Sequence, residues 1–231
     1  MNQMNVWGMT DIGLVRKENQ DAYVTAQHTA SGRTVGVVCD GMGGPAGGRV
    51  ASQIAVSVYL EELEKLLTAD QTPQQLLEAS AQAAALANQA IQAEAERREE
   101  CRNMGTTLVS AISYDGGVVV TNVGDSRAYH ITEDGITRIT KDHSLVESMV
   151  DRGDITAEEA RRHPSRNLIT RALGPEEEAL SDCYPLRMAE GDYLLLCTDG
   201  LVETATDQEM EEAVLRGGDP NGCLDRLLSL A

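Results

Sequence analysis

Two kinds of hydrophobic pattern alternate along this chain: short apolar runs of strand length, and longer stretches with apolar residues at helical spacing. Val6–Ile12, Ala22–Gln27 and Thr34–Cys39 read as strands, the last a nearly continuous apolar run bounded by a turn signal. Val50, Ile54, Val58 and a neighbour at 61 to 63 then fall on one face of a helix starting near Gly47. A second helix takes Thr72 as N-cap, Pro73 at its first position and Gln75 to complete a capping box, and runs through Ala-rich sequence towards Glu100. Strand signals return at Thr107–Tyr114, Val118–Val123 and Arg127–Ile131. Glu133-Asp134-Gly135 then turns the chain into Ile136–Thr140, and these segments read as neighbouring antiparallel strands.

The polar stretch from Lys141 to about Gly174 carries two short helical patterns, Leu145–Arg152 and Ala157–Arg162, and reads as an inserted flap over 141–174. A strong strand at Tyr193–Cys197 follows, then helices at about Asp207–Leu215 and Pro220–Leu230, the latter capped by Asp219. No fixed-period repeat or disordered composition breaks the pattern, so residues 1–231 are expected to form a single domain.

Composition removes several function classes. Nineteen basic against 37 acidic side chains leave a formal charge of −18, which repels nucleic-acid phosphates and anionic lipid headgroups; neither nucleic acid nor a membrane is an expected partner. No run approaches the ~20 apolar residues that span a bilayer. The start MNQMNVWGMT lacks the blocks of a signal peptide, so a cytoplasmic location is expected. Cysteines at 39, 101, 183, 197 and 223 form no close pair, in keeping with reduced thiols and without zinc-site spacing.

The candidate chemistry lies in aspartates. Three apolar strands end in an aspartate beside a glycine: VGVVCDG gives Asp40, VVVTNVGDS gives Asp125 and YLLLCTDG gives Asp199. Each alone reads as a turn-closing residue. Together, a carboxylate just past each strand end, on rigid backbone with a glycine admitting close approach, suggests convergence. Converging carboxylates repel unless a cation neutralises them, and hard oxygen donors without histidine or thiolate at ligand spacing favour Mg²⁺ or Mn²⁺.

These residues also carry a resemblance. TDIGLVRKENQDAY, VCDGMGGPAGG, MGTTL, NVGDSRAY, TKDHS, NLITRALG and LLLCTDGL stand in the order and spacing of the metal-dependent (type 2C, or PPM) protein phosphatases, and look like the bacterial branch. The resemblance implies an α+β fold, a four-layer α/β/β/α sandwich of two antiparallel β-sheets flanked by helices, with the metal centre in a cleft at one end. It implies hydrolysis of phosphoserine and phosphothreonine by water activated between metal ions, without a covalent intermediate. On that pattern Asp40 resembles the bridging ligand of two metals, with the Gly41 carbonyl on the first and Asp199 on the second. Asp125 resembles the ligand of a weaker third metal shared with Asp199, and Asp21 a contributor through water. Arg16 sits where the family binds the substrate phosphate, and Asn19 and Gln20 read as orienting the loop. The implied partners are phosphorylated proteins, a Ser/Thr kinase and its targets among them, and the implied state is a monomer. A thiol phosphatase is not indicated, because no cysteine is followed six positions later by arginine.

Two departures stand out. Met42 occupies the position where some relatives carry a histidine proposed to protonate the leaving group, so water on the metals is the expected acid, with His143 and His163 as the side chains to test against it. The family also normally adds a Gly-Gly-x-Asp-Asn loop and a final strand after the last helix, whereas this chain stops at Ala231. RGGDPNG looks superficially similar, but Asp219-Pro220 reads as the start of the last helix. A missing aspartate and strand lead us to expect reduced metal affinity and little activity from residues 1–231.

Three other readings compete. Gly41-Met42-Gly43-Gly44-Pro45-Ala46 loosely matches a dinucleotide loop, but Asp40 would face the pyrophosphate and Pro45 sits in the turn. Gly124-Asp125-Ser126 resembles a nucleophile elbow, but a strand and not a helix follows. A non-catalytic pseudophosphatase that binds phosphoproteins is the remaining alternative, against which Asp40, Asp125, Asp199 and Arg16 argue.

Overall fold

The computed structural model describes residues 4–28, 30–44 and 46–231, so Pro45 of the glycine-rich turn lies outside it, as do Met1–Gln3 and Thr29. In chain order the elements are β1 (Asp21–Gln27), β2 (Thr34–Met42), α1 (Gly47–Leu66), α2 (Pro73–Arg97), β3 (Gly105–Thr106), β4 (Leu108–Tyr114), β5 (Gly117–Val123), β6 (Arg127–Thr132) and β7 (Gly135–Arg138). There follow α3 (Leu145–Asp151), α4 (Ala157–Arg161), β8 (Asp182–Arg187), β9 (Tyr193–Cys197), α5 (Asp199–Thr204), α6 (Asp207–Leu215) and α7 (Pro220–Leu230). One sheet runs β1-β2-β4-β5-β8, with β3 on the end of β2, and the other runs β7-β6-β9. Every pairing is antiparallel.

Three hydrophobic clusters define four layers. Ala51, Ala55, Tyr59 and Leu63 of α1, with Leu76, Ala83, Ala87 and Ile91 of α2, pack on the first sheet. Val109, Val118, Val120 and Ala128 fill the space between the sheets. Tyr129, Ile131 and Cys197 meet α5, α6 and α7 on the far side. This explains the unbroken apolar run of β5: Val119 and Val123 join the helical layer, while Val118 and Val120 face the second sheet, so neither side of the strand meets water. On α1 the fully buried stripe is the alanine-rich one, and Val50, Ile54 and Val58 flank it, because small side chains let the helix approach the sheet closely.

The capping box of α2 forms as its sequence dictates, with Thr72 and Gln75 satisfying each other's backbone. Asp219 caps α7 by accepting from the Gly222 amide at 2.8 Å, which places Asp219-Pro220 at a helix start. The stretch 141–174 carries α3 and α4 and is pinched at its root by pairing of Ser144 with Ile169 and of Thr106 with Leu173.

Several local expectations fail for identifiable reasons. Val6–Ile12 is not a strand: Trp7, Met9 and Ile12 find no core face and stay exposed, and the Tyr23 ring lies against Gly8. β4 with β5 and β6 with β7 do pair, but β5 and β6 are not neighbours, because the chain changes sheets at Gly124–Ser126. Asp40 lies within β2, which continues to Met42, and not past its end. β8 escaped the sequence pattern because Pro185 interrupts it; as an edge strand paired only with β5, it tolerates a residue with no N–H.

Arg33 locks the connections behind the first sheet. Its guanidinium, on a side chain only 2% exposed, donates to the carbonyls of Thr68, Ala69, Gln71 and Ser113 at 2.9–3.2 Å. Arg33→Met should destabilise the fold by about 3 kcal/mol, since each orphaned buried acceptor costs about 1–3 kcal/mol. A denaturant midpoint equal to that of the parent would refute this role.

Candidate metal and phosphate site

The strand ends and turns at one edge of the sandwich bring four aspartates together. Asp21 and Asp40 stand directly opposite each other in the β1/β2 register, so their side chains leave the same face. Asp125 sits in the crossing from β5 to β6, and Asp199 opens α5 directly after β9. Thr198, the N-cap of α5, donates its hydroxyl to Oδ2 of Asp21 at 2.9 Å, tying the second sheet to the first across the site. The Asp40 carboxyl is within hydrogen-bonding reach of both Asp21 and Asp199.

The backbone under these carboxylates is held by threonines whose role sequence reasoning missed and by Asn19 and Gln20, which it read as orienting the loop. Thr107 Oγ1 accepts from the Asp40 amide at 2.9 Å and bonds Ser126 Oγ at 2.7 Å, linking the strand of Asp40 to the turn of Asp125. Thr106 Oγ1 and the Thr107 amide both donate to the Asp40 carbonyl, at 2.8 and 2.9 Å. The block Met104–Leu108, one of the segments that carry the resemblance but without an assigned role, therefore serves as a brace through its two threonines. Asn19 Oδ1 accepts from the Asp21 amide at 3.0 Å, and Gln20 Nε2 donates to the Gly44 carbonyl at 2.9 Å, which fixes the entry loop. Gly41 and Gly48 touch backbone to backbone: a Cβ on Gly48 would lie 2.6 Å from the Gly41 carbonyl oxygen and press on it. Only glycine at both positions lets the start of α1 close over the end of β2.

Electrostatically the cluster is a set of buried carboxylates that repel one another and attract cations. Burial, then repulsion from Asp21 and Asp199, pushes Asp40 up to about 9. Burial, then Asp199 and Asp142, pushes Asp125 up to about 7, and burial raises Asp21 as well. Among the described residues no set of three or more His, Cys, Asp and Glu side chains is arranged to close on one ion. Asp40 is in hydrogen-bonding reach of Asp21 and of Asp199, whereas Asp125 interacts with Asp199 through charge alone.

Arg16 stands exposed on the entry loop, near enough for its charge to favour ionised Asp21. Met42 pairs with Gly105, so no titratable side chain occupies that position. His143 is buried beneath the site with both ring nitrogens engaged, and the ring of His163 accepts from the Ser165 amide at 3.1 Å in the flap. A cleft of about 340 Å³ runs from Asp125 and Asp199 between the flap and α5–α6. Its floor is fixed by Arg127, which grips Asp142 with two nitrogens at 2.6–3.1 Å and donates to Tyr129.

Comparison with known proteins agrees with the fold. The protein phosphatase 2C family model covers residues 15–218. The serine/threonine phosphatase stp of Listeria innocua is 37% identical over 206 residues, spanning 88% of this chain and 80% of that one. A crystal structure of a bacterial serine phosphatase superposes with a TM-score of 0.88 at 35% identity, covering 96% of this chain and 89% of the other. The catalytic domain of serine/threonine protein phosphatase PstP, solved in complex with two manganese ions, superposes with a TM-score of 0.77 at 34% identity over 94% of this chain and 86% of its own. A shared two-sheet sandwich, a sequence likeness running nearly end to end and a family model over most of its length place this chain in the protein phosphatase 2C (PPM) family, among its bacterial members.

Proposed function

We propose that residues 1–231 act as one catalytic domain of a metal-dependent phosphoserine/phosphothreonine protein phosphatase, with the aspartate cluster as its metal centre. The observation that carries this reading is the gathering of Asp21, Asp40, Asp125 and Asp199 at one edge of the sandwich, with Asp21 directly opposite Asp40 and Thr198, beside Asp199, bonded to Asp21; burial among these carboxylates raises Asp40. A buried group of anions in that state favours any divalent cation that displaces its protons.

The donors fit Mg²⁺ or Mn²⁺. Asp40 with the Gly41 carbonyl would hold one ion, Asp40 with Asp199 a second, and Asp125 with Asp199 a weaker third, while Asp21 contributes through water. Two protein oxygens per ion suit hard cations that retain several waters, so a set of three carboxylates closing on one point is not required. When bound, the cations supply positive charge for phosphoryl oxygens and acidify water, the usual contributions of paired metals to phosphate hydrolysis.

The chain's own residues do the rest. Arg16, exposed on the entry loop near Asp21, offers a planar fork of donors to the phosphate dianion. Thr198 holds Asp21, and the Thr106–Thr107 brace holds Asp40, so the carboxylates need no reorganisation as charge develops. The histidines are not placed for leaving-group protonation, since His143 is buried and His163 lies in the flap, which keeps a water as our proposed acid. The flap over 141–174, which walls the cleft, is proposed to select among phosphoproteins, with a Ser/Thr kinase and its targets as the expected partners. No described helix is long and apolar enough to cross a membrane. We place the protein in the cytoplasm and expect a monomer.

Chelation tests the reading. A phosphothreonine peptide should be left intact in EDTA and hydrolysed, at the low rate expected of residues 1–231, on addition of excess Mn²⁺. At a hundred times its Kd the ion should stabilise the fold by about 2.7 kcal/mol, a rise in Tm of about 5–10 °C. Hydrolysis that persists in EDTA would overturn the metal-centred mechanism. Mn²⁺ and phosphopeptide binding with no turnover would mark a binding module instead.

A further inference from the structure

Gly124, with φ of +108°, immediately precedes Asp125 and is gripped on both sides of its peptide. Its N–H donates to Nδ1 of His143 at 3.0 Å. Its carbonyl accepts from the His143 amide at 2.9 Å and from Nδ2 of Asn122 at 3.2 Å. The Asn122 amide donates to the Gly124 and Lys141 carbonyls, while among the described residues its buried Oδ1 has no partner, an arrangement that costs stability.

The His143 ring is 6% exposed, and its tautomer follows from its neighbours. A backbone amide only donates, so Nδ1 is the bare nitrogen and the proton sits on Nε2, which lies 3.2 Å from Oδ2 of Asp182 on β8. Arg171 approaches Nε2 at 3.2 Å but has its own acceptor in Asp182 Oδ1 at 3.0 Å. Burial, against the pull of Asp182, keeps the ring below the usual histidine range and so neutral. The same residue joins the two stems of the flap: its carbonyl accepts from the Thr170 amide at 2.7 Å, and the next residue, Ser144, pairs with Ile169.

We propose that His143 is a positioning residue for phosphate hydrolysis, fixing the Asp125 carboxylate against Asp199 through the Gly124 peptide and coupling that carboxylate to the root of the flap. The proposal rests on the reading of Asp125 as a cation ligand given above. His143 touches neither phosphate nor cation; it acts only through the turn. A displaced supporting shell typically costs 10–100-fold in metal affinity or activity.

Two variants separate positioning from simple packing. His143→Asn puts an amide oxygen where Nδ1 stands and keeps the acceptor for Gly124, while His143→Gln carries its amide to the Nε2 end and offers Gly124 nothing. Both lose part of the ring's packing. For each, Tm in EDTA, Mn²⁺ binding by calorimetry, and kcat and KM on a phosphothreonine peptide are measured, with Asp125→Asn alongside. We expect His143→Gln to lose about tenfold or more in kcat and to weaken at least one Mn²⁺ site about tenfold. KM should change little, and His143→Asn should recover most of both losses despite a similar Tm. Equal kcat and Mn²⁺ binding in the two variants, with only Tm lowered, would overturn the positioning role. If Asp125→Asn itself changes neither Mn²⁺ binding nor kcat, the ligand reading of Asp125 falls and this inference with it. If Asp125→Asn loses both and His143→Gln loses neither, only the role of His143 is overturned.

Discussion

Asp40→Asn is expected to abolish phosphopeptide hydrolysis in Mn²⁺, by more than about a thousandfold, which is ~4 kcal/mol of barrier, while making the metal-free protein more stable. The two effects have one cause. In the absence of cations Asp40 is an unwelcome charge: burial and the carboxylates of Asp21, Asp199 and Asp125 lift it from 3.8 to about 9. A group raised on folding contributes stability that is complete below its unfolded value and is lost as pH rises through its folded value. In EDTA the parent protein should therefore lose stability between about pH 4 and about pH 9. Asparagine removes that charge and flattens the profile, so at pH 8 the variant should melt higher by about 3 °C or more. The checks are melting curves in EDTA at pH 5 and pH 8 beside turnover in Mn²⁺. A variant that melts lower than the parent at pH 8, or turns over normally, would show that Asp40 is not the charge-bearing centre.

Arg16→Ala should lower kcat/KM by about a hundredfold, or ~2.7 kcal/mol of transition-state binding, and leave Tm within about 1 °C, because surface changes of this kind move stability little. The side chain is exposed and anchors nothing in the core, so its loss is felt only where a phosphate dianion arrives. Arg16→Lys should recover only part of the loss, since an ammonium restores charge but not the two-pronged geometry. Paired assays with a phosphopeptide and a small aryl phosphate locate the effect: a loss on both substrates fits phosphate recognition, whereas a loss on the peptide alone would place Arg16 in recognition of the protein substrate. Turnover within threefold of the parent on both would remove Arg16 from the mechanism.

Legibility differed from element to element. The long helices were readable because their signals are local: Thr72, Pro73 and Gln75 satisfy one another within a single turn, and Asp219 needs only the Gly222 amide three residues on. The alternating and continuous apolar runs gave β2, β4, β5, β6 and β9 for the same reason. Val6–Ile12 failed because a strand needs a partner as well as a pattern, and the first sheet ends at β1. The change of sheet after β5 was invisible, since a turn at Gly124 reads alike whether the next strand pairs beside the last or crosses to another layer.

Sequence by itself determined the residue types of the proposed site: carboxylates beside glycines in or just after apolar strands, an arginine on the entry loop, and no thiol or imidazole at ligand spacing. Those follow from covalent neighbours and short-range chemistry. Only the tertiary structure decided that Asp21 and Asp40 stand opposite each other, that Thr198 reaches back to Asp21, that Thr106 and Thr107 brace Asp40, and that His143 holds the turn of Asp125. Each of these joins residues far apart in the chain: strand register within the first sheet sets the Asp21–Asp40 pair and the threonine brace, and the packing of the two sheets through Val109, Val118 and Val120 brings Thr198 to Asp21, properties that no local window contains.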